Sequence, residues 1–314
     1  MTSVTAFAPA TVSNVACGFD VLGFALDEPG DEVTATFSSS PGLQIAGIEG
    51  DDGRLPRDGA RNTAGVAALS LIRALGDQRG VSITIRKGLP LSSGLGGSAA
   101  SAAAAVVAVN ALLGGQASRD TLIQCALDGE RLGAGSSHAD NIAPCICGGF
   151  VLVRSTSPTD IVTLPVPAGL TAVVIHPDLE IETAKARALL GDTVALRDAV
   201  QQWANLGAFV HALHTGDFEL LSRSLEDTIA EPRRAPLVPG LALIKRAAAE
   251  AGALGSSLSG SGPSIFALCR GDEIAARVAE AMRIAVKSHI GGEPQVYISR
   301  ISGKGARVLS TCAS

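Results

Sequence analysis

The stretch Pro90–Ala100, which runs Pro-Leu-Ser-Ser-Gly-Leu-Gly-Gly-Ser-Ala-Ala, constrains the fold of this chain more than any other segment. Before it, Val81–Ile85 alternates apolar and polar residues, as a half-buried strand does. After it, Ala102–Leu113 is apolar, alanine-rich and long enough for a buried helix. Because glycine permits positive φ, backbone N–H groups at such a strand-to-helix turn can surround an anion beside the positive end of the helix dipole. The stretch is therefore either a phosphate-binding loop or a plain tight turn.

Two common nucleotide-binding motifs are absent from the sequence. Gly-x-x-x-x-Gly-Lys-Ser/Thr occurs nowhere, which excludes the common P-loop. Gly94-Leu95-Gly96-Gly97-Ser98 does not complete Gly-x-Gly-x-x-Gly, because Ala99 occupies the third glycine position.

The pattern Pro-x-Ser-Ser-Gly-Leu-Gly-x-Ser-Ala-Ala resembles the ATP-binding motif of the GHMP small-molecule kinases. Two more stretches resemble the family's other motifs in order and spacing, namely Pro9–Gly23 near the N-terminus and Ser259–Ser264 near the C-terminus. The chain departs from the family pattern twice. Gly97 replaces the usual serine after Gly-Leu-Gly, and Ala16 replaces a glycine in the first motif.

The expected fold class is α+β with two domains, which a chain of 314 residues allows. The composition changes around Pro165–Gly169, which predicts an N-terminal domain of residues 1–166 and a C-terminal domain of residues 167–314. The elements predicted for the second half follow a strand-helix-strand-strand-helix-strand order, typical of a ferredoxin-like layer that closes on the strand Val296–Ile301. The resemblance implies that the first domain is similar to ribosomal protein S5 domain 2.

Within the family, the whole chain most resembles the homoserine kinases. The resemblance implies transfer of the γ-phosphoryl group of ATP, with Mg²⁺, to the side-chain hydroxyl of L-homoserine in threonine biosynthesis. Two alternatives stay open. One is another GHMP kinase with a mevalonate-like or sugar acceptor, and the other is a non-catalytic sensor that keeps the fold and binds a ligand without turnover.

The predicted nucleotide-binding residues follow mainly from the loop. The resemblance implies that it cradles the triphosphate with Leu89, Pro90, Leu91, Ser92, Ser93, Gly94, Leu95, Gly96, Gly97, Ser98 and Ala99. It also places Asn62 near the adenine, although Asn62-Thr63 opens a helix that Thr63 could cap.

Glu130 shares the apolar face of a helix that Ser118 caps, because it lies three and four residues after Leu127 and Ala126. An inward carboxylate needs a partner, which could be a core arginine, a backbone amide or a metal ion. The resemblance favours a metal ion and implies that Glu130 and Ser98 bind Mg²⁺.

The predicted acceptor site needs both signs of charge, because homoserine is a zwitterion. Glu231–Gly240 resembles the family's Glu-Pro-x-Arg-x-x-Leu-x-Pro-Gly, which selects Arg234 rather than Arg233. Two arginines suit a carboxylate, since each guanidinium can bind it bidentately. The resemblance implies these substrate-binding residues: Arg187 and Arg234 for the carboxylate, Asp20 and Asn14 for the ammonium, and His138, Asn141 and Thr183 around them.

Two adjacent residues are candidates for the chemical step, in a polar segment before the strand Phe150–Val153 that we interpret as a loop. Asn141 matches an asparagine that orients the acceptor hydroxyl, so phosphoryl transfer would proceed without a strong base. Asp140 is the rival, because a carboxylate can accept the proton.

Composition limits the remaining classes of function. A net charge of −5 argues against a general nucleic-acid binder. The sequence lacks a signal-peptide pattern and an apolar run of membrane-spanning length, so we expect no membrane association. The six cysteines lack zinc-site spacing, and free thiols favour a cytoplasmic protein. The sequence does not fix the oligomeric state, for which a homodimer is the hypothesis.

Overall fold

The structure is a computed structural model that describes residues 2–134 and 138–312, with the backbone alone for 132–134. Its elements in chain order are β1 (Ser3–Ser13), β2 (Leu22–Ser38), β3 (Leu43–Glu49), α1 (Thr63–Ala74), β4 (Gly80–Arg86), α2 (Gly97–Leu113), α3 (Arg119–Ala134), α4 (Ala139–Cys147), β5 (Phe150–Thr156), β6 (Thr159–Leu164), β7 (Leu170–His176), α5 (Thr183–Ala188), α6 (Leu196–Thr215), α7 (Phe218–Ser224), α8 (Ala230–Arg234), a 3₁₀ turn (Ala235–Leu237), α9 (Leu241–Glu250), β8 (Gly255–Leu258), β9 (Ile265–Arg270), α10 (Asp272–His289), β10 (Gln295–Arg300) and β11 (Arg307–Cys312).

The first sheet holds seven strands in the order β11-β1-β2-β4-β3, with β5 paired to β2 and β6 paired to β5. Helix α2 packs against α1, α3 and the strands β1 and β2. Most of its residues are buried, and they are mainly alanines, so its backbone can approach neighbours on several sides. An alanine-rich core helix of this kind explains how a chain with only 3% aromatic residues fills its interior.

The second sheet is antiparallel, in the order β10-β7-β9-β8. Together with α9 and α10, which pack on each other, it follows the ferredoxin-like strand order expected from the sequence. Four aromatic rings connect the two halves: Phe24 lies 5.0 Å from Phe150 and 5.9 Å from Phe266, and Phe150 lies 5.7 Å from Phe209, between ring centroids. The α+β fold class is thus confirmed.

The end of the chain differs from the expectation. The strand β10 takes the predicted closing position, but the chain continues to β11, which returns to the first sheet and pairs antiparallel with β1. The chain otherwise passes from the first sheet to the second between β6 and β7, near Pro165–Gly169. The division into residues 1–166 and 167–314 remains a prediction.

The polar segment around residues 138–144 is a helix, α4, so its interpretation as a loop was wrong. Most residues of this helix are buried, and its tertiary packing outweighs the low helix propensity of its polar residues and its proline. Pro144 has no N–H to donate to the carbonyl of Asp140, four residues earlier. The strand β2 passes close to that carbonyl, since a Cβ on Gly23 would lie 1.9 Å from it. A glycine is therefore required at this crossing.

Two further findings concern the described residues as a group. None of their helices combines the length and apolar character needed to cross a bilayer. All six cysteines are free thiols, and four of them are buried.

Candidate functional site

The Gly/Ser-rich loop between β4 and α2 is held by the other two motif regions. The Thr11 N–H donates to the Leu95 carbonyl at 3.1 Å, and the Ser259 hydroxyl donates to the Gly94 carbonyl at 2.6 Å. A Cβ on Gly94 would lie 2.5 Å from the Ser259 carbonyl oxygen, at a φ of +77°. The first and third motifs therefore pack directly against the loop, although the three stretches are far apart in the sequence.

The loop ends as an open helix N-terminus. Gly96 precedes α2 with a φ of +68° and supplies no side-chain cap, so first-turn N–H groups remain for a ligand. Beside it lies a cleft of about 580 Å³. The cleft is lined by loop residues from Pro90 to Ser98 and, from the second half of the chain, by Thr183. An anion bound there would meet the positive end of the α2 dipole.

Asn62, the predicted adenine contact, is the N-cap of α1, so the expectation that Thr63 caps this helix was wrong. Its Oδ1 accepts from the N–H groups of Ala64 and Gly65, and its Nδ2 donates to the Pro56 carbonyl at 2.9 Å. Asn62 nevertheless lines the cleft. Its capping role is clear, and its nucleotide contact stays a prediction.

A buried charge network under the loop was not predicted from the sequence. The ammonium of Lys87 pairs with Asp31 and donates to the Gly97 carbonyl at 2.8 Å and to Ser101 Oγ at 2.9 Å. Asp31 also accepts from the Gly88 N–H at 3.0 Å and from Ser101 Oγ at 2.6 Å. One carboxylate thus ties both ends of the loop, and Lys87 lines the cleft.

Glu130 points inward from α3, as its place on the apolar face predicts, and is 3% exposed. Burial raises the pKa of Glu130, while a hydrogen bond with Ser98 and the charge of Lys87 oppose the rise. Among the described side chains, its Oε1 is one of two buried polar atoms without a hydrogen-bond partner. An unpaired buried carboxylate oxygen, in a residue that hydrogen-bonds a hydroxyl lining the cleft, fits a divalent cation.

The predicted metal site has few protein ligands. Within residues 2–134 and 138–312, no group of three or more His, Cys, Asp or Glu residues could hold a metal ion. Mg²⁺ usually binds through one or two protein groups and completes its shell with waters and substrate phosphates. The pair Ser98 and Glu130 suits that manner of binding.

The charged residues predicted for the acceptor lie together. Arg187 on α5 donates to the Asp20 carboxylate from Nη1 at 2.6 Å and from Nη2 at 3.1 Å. The guanidinium carbons of Arg187 and Arg234 lie 5.2 Å and 5.3 Å from the centroid of the Phe19 ring. Phe19 was not singled out in the sequence, although it directly precedes Asp20. Its ring holds two like charges near each other through cation–π contacts.

Arg234 is 4% exposed and held by backbone carbonyls. It donates to the Gly260 carbonyl from Nη1 at 2.9 Å and to the Ala186 carbonyl from Nε at 3.4 Å. Burial, followed by the charge of Arg187, lowers the pKa of Arg234. Glu231 fixes the helix that carries it, by pairing with Lys245 and accepting from the Leu258 N–H at 3.1 Å.

The first motif turns through strained backbone. Asn14, Val15, Ala16 and Asp20 all have positive φ, between +42° and +68°. Ala16 therefore adopts the left-handed conformation, at +56°, where the family motif has a glycine. The Asn14 side chain donates to the Gly260 carbonyl at 2.9 Å and accepts from the Asp20 N–H at 3.0 Å. These contacts set the position of Asp20.

Asp140 and Asn141, the candidates for the chemical step, both contact the first motif region. The Oδ2 of Asp140 accepts from the Asn14 N–H at 3.2 Å, and its Oδ1 is the second buried atom without a partner in the described chain. Burial first, and then the charge of Asp20, raise the pKa of Asp140 from 3.8 to about 7. The Asn141 amide accepts from Thr11 Oγ1 at 2.8 Å and donates to Ser13 Oγ at 3.0 Å.

A small cavity of about 40 Å³ lies among the acceptor residues. It is lined by six of the predicted residues, namely Asn14, Asp20, His138, Asp140, Thr183 and Arg234. Burial lowers the pKa of His138, which favours its neutral form. Because Thr183 lines both this cavity and the larger cleft, the two adjoin. Arg187 reaches the cavity through Asp20, and Asn141 lies between β1 and the loop.

Comparisons with known proteins agree with this arrangement. Models of the GHMP kinases N terminal domain and the GHMP kinases C terminal domain match residues 62–149 and 209–288. A homoserine kinase of Chlorobium phaeobacteroides is 47% identical over 98% of this chain and 100% of its own length. The crystal structure of homoserine kinase from Cytophaga hutchinsonii is 50% identical, with a TM-score of 0.95 over 98% of this chain and 97% of that one.

A mevalonate kinase of L. major, solved with R-mevalonate, shares the fold alone. Its TM-score is 0.72 at 17% identity, over 94% of this chain and 95% of that one. The full-length similarity is to the homoserine kinases, and both family models match. The chain belongs to the GHMP kinase family, in its homoserine kinase group.

Proposed function

We propose that this chain transfers the γ-phosphoryl group of ATP to the side-chain hydroxyl of L-homoserine, giving O-phospho-L-homoserine for threonine biosynthesis. The observation that carries the proposal is the meeting of two guanidinium groups and one carboxylate, from Arg187, Arg234 and Asp20, beside the glycine loop. A zwitterionic acceptor needs both signs of charge, whereas mevalonate carries only a carboxylate and a sugar carries neither. This set of charges also disfavours a sugar kinase.

ATP would bind in the cleft with its phosphates against the loop Leu89–Ala99. The N–H groups at the start of α2 would bind phosphate oxygens. Ser98 and Glu130 would hold Mg²⁺, which supplies neutralisation of the charge on the phosphates during transfer. The raised pKa of Glu130 supports this assignment, because a buried carboxylate gains most from a nearby cation.

The acceptor would be oriented by its two charged ends. Its carboxylate would bind Arg234 and Arg187, and its ammonium would bind Asp20, whose backbone Asn14 holds. His138 and Thr183 would line the sides of the pocket. This orientation would direct the side-chain hydroxyl toward the cleft, where positioning of the reacting groups would account for much of the rate.

For the chemical step, we favour positioning by Asn141 over proton removal by Asp140. Asn141 is fixed to β1 at both ends of its amide, so it could hold the attacking oxygen in line. Asp140 accepts a hydrogen bond from the strained Asn14 backbone, which supports a role in holding the first motif. The loose transition state of phosphoryl transfer tolerates the lack of a strong base.

A coupled ADP-release assay with Mg²⁺-ATP tests the function directly. The acceptors are homoserine, mevalonate, galactose and shikimate at equal concentrations. Only homoserine is expected to support turnover well above the acceptor-free background. A preference for mevalonate or galactose would contradict the proposal, and binding of homoserine without ADP release would favour a sensor.

A further inference from the structure

An ion pair occupies the acceptor pocket where the two ends of a substrate would bind. Arg187 and Asp20 join through two hydrogen bonds of 2.6 Å and 3.1 Å. Asp20 lies between β1 and β2 and Arg187 lies on α5, so the pair bridges the two halves of the molecule. Their side chains are 35% and 38% exposed, so a ligand from solvent can reach both.

Two other parts of the pocket are held by hydrogen bonds that involve the backbone, whereas this pair joins two side chains and can open by rotation of one of them. Arg234 is held by the Gly260 and Ala186 carbonyls, and the Asp20 backbone is held by Asn14. Arg187 makes its charged contact with Asp20 and lies against the Phe19 ring. A rotation of the Arg187 side chain would therefore free both charges without moving the backbone.

The space beside the pair is too small for an amino acid. Its cavity measures about 40 Å³, which accommodates roughly three water molecules. In the proposed function the two charged ends of homoserine bind Arg187 and Asp20, so its binding requires these two side chains to separate. The cost of separation then depends on what each charge finds in its place.

We propose that the Asp20–Arg187 ion pair selects for zwitterions by exchange of partners. The proposal depends on the proposed function, in which Arg187 receives the substrate carboxylate and Asp20 the ammonium. A zwitterion replaces each partner with a group of the same charge, so both residues stay paired. A ligand with a single charge pairs one residue and leaves the other without its partner, which lowers its affinity.

This exchange predicts an effect that simple charge recognition does not. Removing the Asp20 carboxylate should weaken the binding of homoserine, because its ammonium loses its partner. The same change should strengthen the binding of a ligand that carries only a carboxylate, because Arg187 is then no longer paired with Asp20. Removing the Arg187 guanidinium should likewise strengthen the binding of a ligand that carries only an ammonium, because Asp20 is then no longer paired.

The test is isothermal titration calorimetry, without ATP, of homoserine, 4-hydroxybutyrate and 3-aminopropan-1-ol. For Asp20→Asn we expect homoserine to bind about tenfold or more weakly. We expect 4-hydroxybutyrate to bind about two- to fivefold more tightly than to the native protein, which is the contribution of a partly exposed ion pair. We expect 3-aminopropan-1-ol to bind more tightly to Arg187→Gln than to the native protein, by a similar factor.

A matched control lies on the same helix. Lys185→Gln removes a charge from α5 whose side chain is 71% exposed and pairs with Glu182. All three affinities should stay at their native values in this variant. A change there would mean that the overall charge of the helix, rather than the exchange, controls binding.

Unchanged or weaker binding of 4-hydroxybutyrate to Asp20→Asn would overturn the exchange, as would unchanged or weaker binding of 3-aminopropan-1-ol to Arg187→Gln. If one variant does not fold, the other decides alone, and failure of both to fold would make the pair structural and overturn the inference. Turnover of homoserine by the native protein tests the proposed function separately. The function can therefore stand when the exchange fails.

Discussion

Replacing Asp31 by asparagine is expected to destabilise this protein strongly and to loosen its nucleotide loop. Asp31 is fully buried and pairs with Lys87, whose side chain is 2% exposed. Its oxygens also accept hydrogen bonds from the Gly88 and Leu89 N–H groups and from the Ser101 hydroxyl. Asparagine keeps the shape of aspartate but leaves the Lys87 ammonium buried without a counter-charge.

The magnitude follows from the burial of both partners. Removing one member of a buried pair costs about 3–5 kcal/mol of the free energy of unfolding. Lys87→Met should cost less, about 1–2 kcal/mol, because Asp31 keeps three other donors. The double variant should cost less than the sum of the two single changes, since it leaves no buried ammonium.

The assay is urea unfolding at neutral pH, compared through midpoints at a constant m-value. Glu32→Gln is the matched control, because Glu32 follows Asp31 on β2 and pairs with Arg86, whose side chain is 62% exposed. That change should cost below about 1 kcal/mol. The KM for ATP should rise in Asp31→Asn, with homoserine affinity little changed. Equal costs for Asp31→Asn and Glu32→Gln would refute the reasoning.

The remaining predictions concern the residues proposed for metal binding, acceptor binding and the chemical step. Glu130→Gln should lower kcat by about 10²–10³-fold without unfolding the protein, and near-native turnover at saturating Mg²⁺ would contradict the metal assignment. Arg234→Leu should raise the KM for homoserine by about 30-fold or more and leave that for ATP unchanged, whereas an equal loss for ATP would assign it to the nucleotide. In single-turnover kinetics across pH, Asn141→Ala should slow the chemical step. An acidic limb near pH 7 that disappears in Asp140→Asn with a large rate loss would instead identify a base. The folded-state pKa of Asp140 is raised from 3.8 to about 7, so its contribution to stability is present below about pH 4 and is lost as pH rises through 7. In urea unfolding across this pH range, the free energy of unfolding of Asp140→Asn should therefore fall less than that of the native protein.

Local pattern was sufficient to predict the parts of the fold that depend on neighbouring residues. The turn from β4 into α2 followed from strand alternation, glycines and an alanine run, and Glu130 was placed on a buried face by helical spacing. The helix α4 was missed because its burial against β1, β2 and β5 is a tertiary effect. The strand β11 was missed because its partner β1 lies at the other end of the chain.

Contacts between residues that are distant in the sequence were also beyond prediction in the candidate site. Asp20 and Arg234 were candidates for the acceptor site because they lie in stretches that resemble family motifs. The contacts between charged residues could not be predicted, since Asp31 and Lys87 are 56 residues apart and Asp20 and Arg187 are 167 apart. No local spacing determines which charges meet across such distances. The stacking of two arginines on Phe19 is likewise a product of the fold.

The unpaired buried atoms connect the stability of this protein to its function. In the described chain, they are an oxygen of Glu130 and an oxygen of Asp140, one beside the proposed metal site and one beside the acceptor cavity. An unsatisfied buried polar group costs about 1–3 kcal/mol, so the ligand-free fold carries a cost at the places where ligands are expected. Burial raises the pKa of both carboxyl groups, so protonation can reduce this cost at either residue when no ligand is bound. The two carboxyl groups differ in their neighbours. Glu130 hydrogen-bonds the Ser98 hydroxyl near the charge of Lys87, whereas Asp140 accepts from the Asn14 N–H near the charge of Asp20. The Ser98 hydroxyl beside Glu130 would give a cation a second ligand, and this contact, rather than the raised pKa that both groups share, favours Glu130 for the proposed metal site.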